Sequence, residues 1–216
     1  MKIGIIGSGI VSRVLGKAFL SEGYDVMLGT RNVSKDEVVR WKNENPNGKT
    51  GSFEEAATFG DLLVLAVAGY VATEAVQLAG VDNFKGKVVI DTTNPIAPEP
   101  PVNGVLRYFT DLDESLMERI QKEIPNAKVV KAFNSVGNAF MYKPNFPGGK
   151  PTMFICGDDD EAKKVVTGIL TQFGHETEDM GKIEAARAIE PLCILWCIPG
   201  FIHNRWTHAF KLLKMQ

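Results

Sequence analysis

The chain has 216 residues, 44% hydrophobic and 23% charged, and its 24 Lys and Arg against 26 Asp and Glu leave a net charge of −2. This composition fits one ordinary globular core with an appendage and excludes a chain kept unfolded by charge. The balanced charge gives no ground for a nucleic-acid partner.

Residues 2–12, KIGIIGSGIVS, place the apolar run Ile3–Ile6 before a Gly7-Ser8-Gly9 turn, and a helical pattern runs from Ile10 to Glu22. Strand, tight turn and helix in this order form a dinucleotide-binding unit. The glycines let backbone approach a pyrophosphate, and the helix N-terminus stabilises its charge. The third position of the G-x-G-x-x-G pattern is Ser12, small enough for the helix to pack on the strand. A nicotinamide or flavin nucleotide is expected. The N-terminus enters this strand directly, without a basic segment and an apolar stretch ahead of a cleavage site, so a cytoplasmic location is expected.

The second strand, Asp25–Leu28, ends at Gly29-Thr30-Arg31, where an NAD-selecting protein would carry a carboxylate against the ribose 2′-hydroxyl. Thr30 can instead donate a hydroxyl hydrogen bond and Arg31 a planar, charge-assisted contact, with Lys35 as a second cation. NADP is therefore favoured over NAD. Ser34 is expected to cap a helix through Val38 to Trp41, followed by a polar loop over Asn43–Gly48 and a weak strand near Lys49-Thr50. Ser52-Phe53-Glu54-Glu55 is a capping box, Leu62–Val67 reads as a buried parallel strand, and Ala72–Leu78 as a helix.

Val88–Asp91 is the next strand, stopped before Pro95, and a Pro-rich loop runs to about Leu112. Ser115 starts a helix to Ile124. Lys128–Ala132 gives a sixth strand ending at Phe133-Asn134-Ser135, and Met153–Cys156 and Glu176–Asp179 flank a helix over Glu161–Phe173. Asp158-Asp159-Asp160 reads as helix capping, not as a metal site. Cys193 and Cys197 share one helix face as small hydrophobes, and His175, His203 and His208 read as structural. Ala188–His203 is apolar but interrupted by Glu190, Pro191 and Pro199, so it reads as a buried or interfacial helix shorter than a membrane span.

The alternation implies an α/β fold: a Rossmann-type doubly wound, mostly parallel sheet with a short C-terminal helical segment. Residues 1–180 form the nucleotide-binding domain, and 181–216 a helical segment that completes an acceptor groove or pairs two subunits into a homodimer. Ligands in such sheets lie at the carboxyl ends of strands, where Gly7–Val11, Thr30-Arg31, Val67–Gly69, Asn94-Pro95 and Asn134-Ser135 converge.

Those tips, together with Leu65-Ala66-Val67, Asp91-Thr92-Thr93-Asn94-Pro95, Lys131-Ala132-Phe133-Asn134 and the closing His208–Leu213, resemble the NADP oxidoreductase family that includes coenzyme F420-dependent NADP reductases. The chain is also similar to the cytosolic domain of the STEAP metalloreductases. The resemblance implies NADP(H) held by Gly7, Ser8, Gly9, Ile10, Val11, Thr30, Arg31 and Lys35. Ala66, Val67, Ala68, Asn94 and Pro95 would stand beside the ribose and nicotinamide, and Asn134 would orient the acceptor. It further implies hydride transfer to a small flavin-like acceptor, F420 or a flavin. Imino or keto acids, quinones and ferric chelates are alternative acceptors, and a non-catalytic NADPH sensor is an alternative role. No Tyr-x-x-x-Lys occurs, which disfavours a short-chain dehydrogenase mechanism.

Overall fold

A computed structural model describes residues 1–215. Its centre is a six-stranded parallel sheet in the order β3-β2-β1-β4-β5-β6. These strands are β1 (Lys2–Ile6), β2 (Asp25–Gly29), β3 (Lys49–Gly51), β4 (Leu62–Leu65), β5 (Val88–Asp91) and β6 (Lys128–Lys131). A parallel pair, β7 (Thr152–Ile155) and β8 (Glu176–Asp179), adjoins β6 through an antiparallel bridge between Lys131 and Cys156. The strand order reverses between β1 and β4, which opens a crevice at their carboxyl ends.

The central strands read as unbroken apolar runs because helices cover both faces. Ile3, Ile5, Leu62, Val64, Ile90 and Val130 face α1 (Ile10–Ser21) and α6 (Asp160–Gln172), meeting Leu15, Phe19, Val166 and Phe173. Ile6, Leu63, Leu65, Val89 and Val129 face α3 (Phe53–Phe59), α4 (Ala72–Ala79) and α5 (Leu116–Glu123), meeting Ala56, Val76 and Ile120. Two helix starts are fixed by reciprocal capping boxes, Ser52 with Glu55 and Ser115 with Glu118, each stabilising by about 1 kcal/mol. Asp159 caps α6 through Ala162 N–H and Asp160 lies in its first turn, the roles expected of that acidic run, whereas Asp158 accepts from the distant Ile183 N–H.

Three expectations change. The helix α2 (Asp36–Glu44) begins after Lys35 rather than at Ser34, whose N–H instead donates to Asn32 Oδ1 in a turn at 2.9 Å. The late apolar stretch is longer than expected. Glu190 and Pro191 form a turn between α7 (Ala186–Ile189) and α8 (Leu192–His203), the interruption expected there, but both keep helical dihedrals, and Pro191 stands at the N-cap of α8, where its missing N–H costs nothing. The run Ile183–His203, 21 residues, is by length and composition alone long and apolar enough to cross a membrane. Finally, the C-terminal segment is not helical throughout. Asn204 turns into the left-handed region at φ 51°, and the chain then returns along β7, where Thr152 N–H donates to Phe210 O at 2.9 Å. Gln216, included in the expected 181–216 segment, lies outside the described residues.

Candidate functional site

Gly7 follows β1 with φ +134°, a conformation that L side chains rarely adopt. A Cβ there would lie 2.3 Å from Ala66 O and 2.7 Å from Ser12 Oγ. Ser12 is buried and donates to that same Ala66 carbonyl at 2.8 Å, so the departure from the glycine pattern ties the helix to the tip of β4. Gly9 differs. It is exposed, with φ −69°, and a Cβ built on it meets no atom within 4 Å. Nothing in the protein requires glycine at this point, whereas a ligand resting on the turn would. The helix α1 that follows has no side-chain cap, leaving its first N–H groups open to that ligand.

A cavity of about 450 Å³ lies over the turn, lined by Gly7, Ser8, Gly9, Thr30, Arg31, Lys35 and Ala66–Ala68. Ser8 Oγ donates to Thr30 Oγ1 at 3.0 Å, and Thr30 Oγ1 also accepts from Asn32 N–H, so this buried hydroxyl shapes the corner. Arg31 and Lys35 are exposed, and among the described residues neither makes an ion pair. The far wall was not legible in advance: Tyr70, Glu74 and Leu78, at helical four-residue spacing, with Phe53, Val71 and Ala75. Their shared face was the available signal.

A second cavity of about 380 Å³ shares Gly9, Ala66–Ala68 and Tyr70 with the first and adds Ile10, Val11, Thr92, Thr93, Asn94, Ile96 and Ala97. Tyr70 is 61% exposed where the two meet. Close approach holds this wall together, since a Cβ on Gly69 would fall 2.0 Å from Asn94 O. Asn94 Nδ2 donates to Asn134 O at 2.8 Å.

Two predicted site residues do not face either cavity. Pro95 is buried behind Asn94. Asn134 is buried, donating from Nδ2 to Ile189 O at 2.9 Å and to Asn94 Oδ1 at 3.4 Å, so it reaches the cavity only through Asn94. Phe133, just before it, sits at φ +62°. For a bulky residue this is strained backbone, and it turns the chain sharply off β6.

Beneath this loop, and unforeseen, Lys131 is wholly buried between Asp91 Oδ2 at 2.6 Å and Glu190 Oε1 at 2.8 Å. Burial alone would lower the ammonium pKa, but the two carboxylates hold it above its ordinary value. The signal was a charged residue, Asp91, Lys131 or Glu190, against an apolar run in each of three segments. Tyr108 donates to Glu190 O at 2.7 Å, and its burial raises the phenol pKa. The cysteines are apart from the cavities. Burial pushes Cys156 up to about 12, and the neighbouring Cys197, together with burial, raises the Cys193 thiol, while Cys193 lowers that of Cys197. His175 Nε2 donates to Met141 O at 3.1 Å, and His208 stacks on Trp196.

The family model for NADP oxidoreductases, coenzyme F420-dependent, matches residues 2–95. A solved structure from Arthrobacter sp. FB24, assigned as an F420-dependent NADP reductase, superposes with a TM-score of 0.92 at 30% identity, covering 99% of this chain and 100% of that one. The chain belongs to this family. Its members are oxidoreductases on the fold described above. F420-dependent NADP reductase of Methanocaldococcus jannaschii is 29% identical over 89% of both chains. Metalloreductase STEAP3 of Rattus norvegicus is 30% identical over 93% of this chain, which spans only 39% of that protein's length.

Proposed function

We propose that this F420-dependent NADP oxidoreductase family member transfers a hydride between NADP(H) and a flat flavin-like acceptor, F420 or a flavin. The observation that carries the reading is the pair of adjoining cavities, which share Gly9, Ala66–Ala68 and Tyr70. One has a cationic corner and an open glycine turn; the other is apolar with neutral polar groups. Gly9 supplies the test of fit, because its missing Cβ leaves a cradle that the fold itself does not need. In this reading the N–H groups from Ser8 to Val11 hold the pyrophosphate, while the Gly7 N–H donates to Gly29 O at 3.2 Å and Gly7 serves by its turn; Arg31 and Lys35, with Ser8 and Thr30 shaping the corner, hold the 2′-phosphate.

Ala66, Val67, Ala68 and Asn94, backed by Pro95, border the ribose and nicotinamide, and Asn134 acts behind Asn94. Bound NADPH supplies the hydride; the chain's task is to bring two rings into contact and exclude water. Of the residues lining the second cavity only Tyr70 is titratable, which suits a transfer that needs no protein acid or base. The experiment follows NADPH oxidation at its absorbance band with F420, FMN, FAD, quinones and ferric chelates in turn. Turnover with F420 or a flavin is expected; tight NADPH binding without turnover across the panel overturns the reading.

We further propose a cytoplasmic homodimer. The three cysteines are free thiols, as in a reducing compartment. On α8, Leu195, Phe201 and Ile202 are exposed, beside Val102 and Val105 of the loop packed on that helix. Sedimentation equilibrium should return twice the chain mass, and a monomer would refute the pairing.

A further inference from the structure

We propose that Lys131 is a positioning residue, holding the Thr92–Asn94 wall of the second cavity in the register that receives the nicotinamide half of NADP(H). The inference rests on the proposed NADP(H) function. Its starting point is the three-way arrangement at the Lys131 ammonium. Besides Asp91 and Glu190, Nζ donates to the Thr93 carbonyl at 2.9 Å. Thr93 closes back on the same cluster, its N–H and Oγ1 donating to Asp91 Oδ1 at 2.9 and 2.7 Å.

Glu190 carries the cluster outward. Its two oxygens accept from Leu116 and Met117 N–H, each at 3.0 Å, so one carboxylate serves the first turn of α5 and the ammonium together. A single cation thus joins the tip of β5, the end of β6, the start of α5 and the entry to α8. The ammonium has oxygens of Asp91, Glu190 and Thr93 within 2.9 Å, so its buried charge is met by two carboxylates and a carbonyl.

Stability alone does not account for it. Buried ion clusters are commonly matched or bettered by apolar side chains of similar volume, so a methionine could fill the space. A methionine could not donate to Thr93 O, and Thr92, Thr93 and Asn94 are the residues facing the cavity. The adjoining strand end is bent for the same purpose. Phe133 takes the left-handed conformation, and Asn134 O then receives the Asn94 side chain. The phosphate end of the site shares none of these residues.

That separation supplies the test. Calorimetry would compare 2′,5′-ADP, which carries only the adenosine and its phosphates, with NADP⁺, on the native protein and on two variants whose folding is verified by circular dichroism. One is the triple change Lys131→Met, Asp91→Asn, Glu190→Gln, which removes all three charges and leaves none unpaired. The other is Glu190→Gln alone, which keeps the ammonium and the shape of the cluster. In the triple variant NADP⁺ affinity should fall about tenfold, as for one lost charge-assisted hydrogen bond, with 2′,5′-ADP unchanged. In Glu190→Gln the same split should be smaller. Equal weakening of both ligands, or of neither, overturns the positioning role while leaving the NADP(H) reading intact. Should the triple variant not fold, the presence or absence of the split in Glu190→Gln decides the matter. If the native protein binds neither ligand, the NADP(H) reading itself fails.

Discussion

Alanine at Gly9 and alanine at Gly7 should separate binding from folding, although the two positions are two residues apart. At Gly9 the backbone is extended and the new Cβ enters open space. Alanine gains about 0.4–1 kcal/mol from a stiffer unfolded chain and loses a similar amount as a poorer helix N-cap, so stability should stay within about 1 kcal/mol of native. At Gly7 the φ of +134° and the 2.3 Å approach to Ala66 O act together. Strain of about 1–3 kcal/mol and overpacking of about 1–3 kcal/mol sum to roughly 2–6 kcal/mol. At about 2–4 °C per kcal/mol for a chain of this size, Gly7→Ala should melt at least about 4 °C lower, and Gly9→Ala close to native. Binding reverses the order of interest. The Gly9 methyl group stands where the pyrophosphate must approach, and each lost phosphate hydrogen bond costs about 1.5–3 kcal/mol, so NADPH affinity should fall at least about tenfold in a fully folded protein. Thermal melts paired with calorimetric titration measure both. A Gly9→Ala protein with native affinity, or with the melting loss of Gly7→Ala, would refute the reasoning.

Arg31→Ala should weaken NADPH binding by about 1.5–3 kcal/mol and leave NADH nearly untouched; equal losses for both nucleotides in a titration would remove Arg31 from cofactor selection. Asn134→Ala leaves the Ile189 carbonyl without its donor, so it should lower both stability and turnover while NADPH affinity is nearly retained. Normal kinetics would take Asn134 out of the site. Burial lowers the His175 imidazole pKa, so the native state binds fewer protons than the unfolded one. Its contribution is complete above the unfolded value of about 6.5 and is lost as pH falls below it. The drop in urea midpoint from about pH 7.5 to about pH 5 should therefore be smaller in His175→Gln, and an unchanged drop would show that other groups carry it.

The sheet was legible because β1, β4, β5 and β6 are buried on both faces, which leaves short apolar runs whose carboxyl ends lead to Gly7, Ala66, Asn94 and Asn134. The phosphate end of the site was legible for a related reason: its residues lie within a few positions of strand ends that the sequence marks with glycine or a cation. The opposite wall was harder, since Tyr70, Glu74 and Leu78 belong to a helical face that reads equally well as solvated surface. Asn134 was correctly placed at a strand tip, but its depth depends on Ile189, 55 residues away, which no local pattern reports. The late apolar run was read too short because Glu190 and Pro191, which do interrupt it, keep helical dihedrals in their turn and let the run start at Ile183.

The buried cluster shows why the remaining gap is physical. Asp91, Lys131 and Glu190 each looked like the end or the interruption of an apolar segment, and each alone would be too costly to bury. Only their meeting makes burial tolerable, and the separations of 40 and 59 residues mean that the fold must form before the charges can be understood. The two ends of the proposed site then obey opposite rules. Arg31 and Lys35 remain in water, unpaired among the described residues, so little is lost when a phosphate dianion takes the place of solvent. The Thr92–Asn94 wall presents neutral groups to its cavity, and the charged groups that hold it lie one layer below, where one ammonium meets two carboxylates and Glu190 also accepts from the Leu116 and Met117 N–H groups. Such a wall can be rigid without holding an anion of its own, as contact between two flat rings requires.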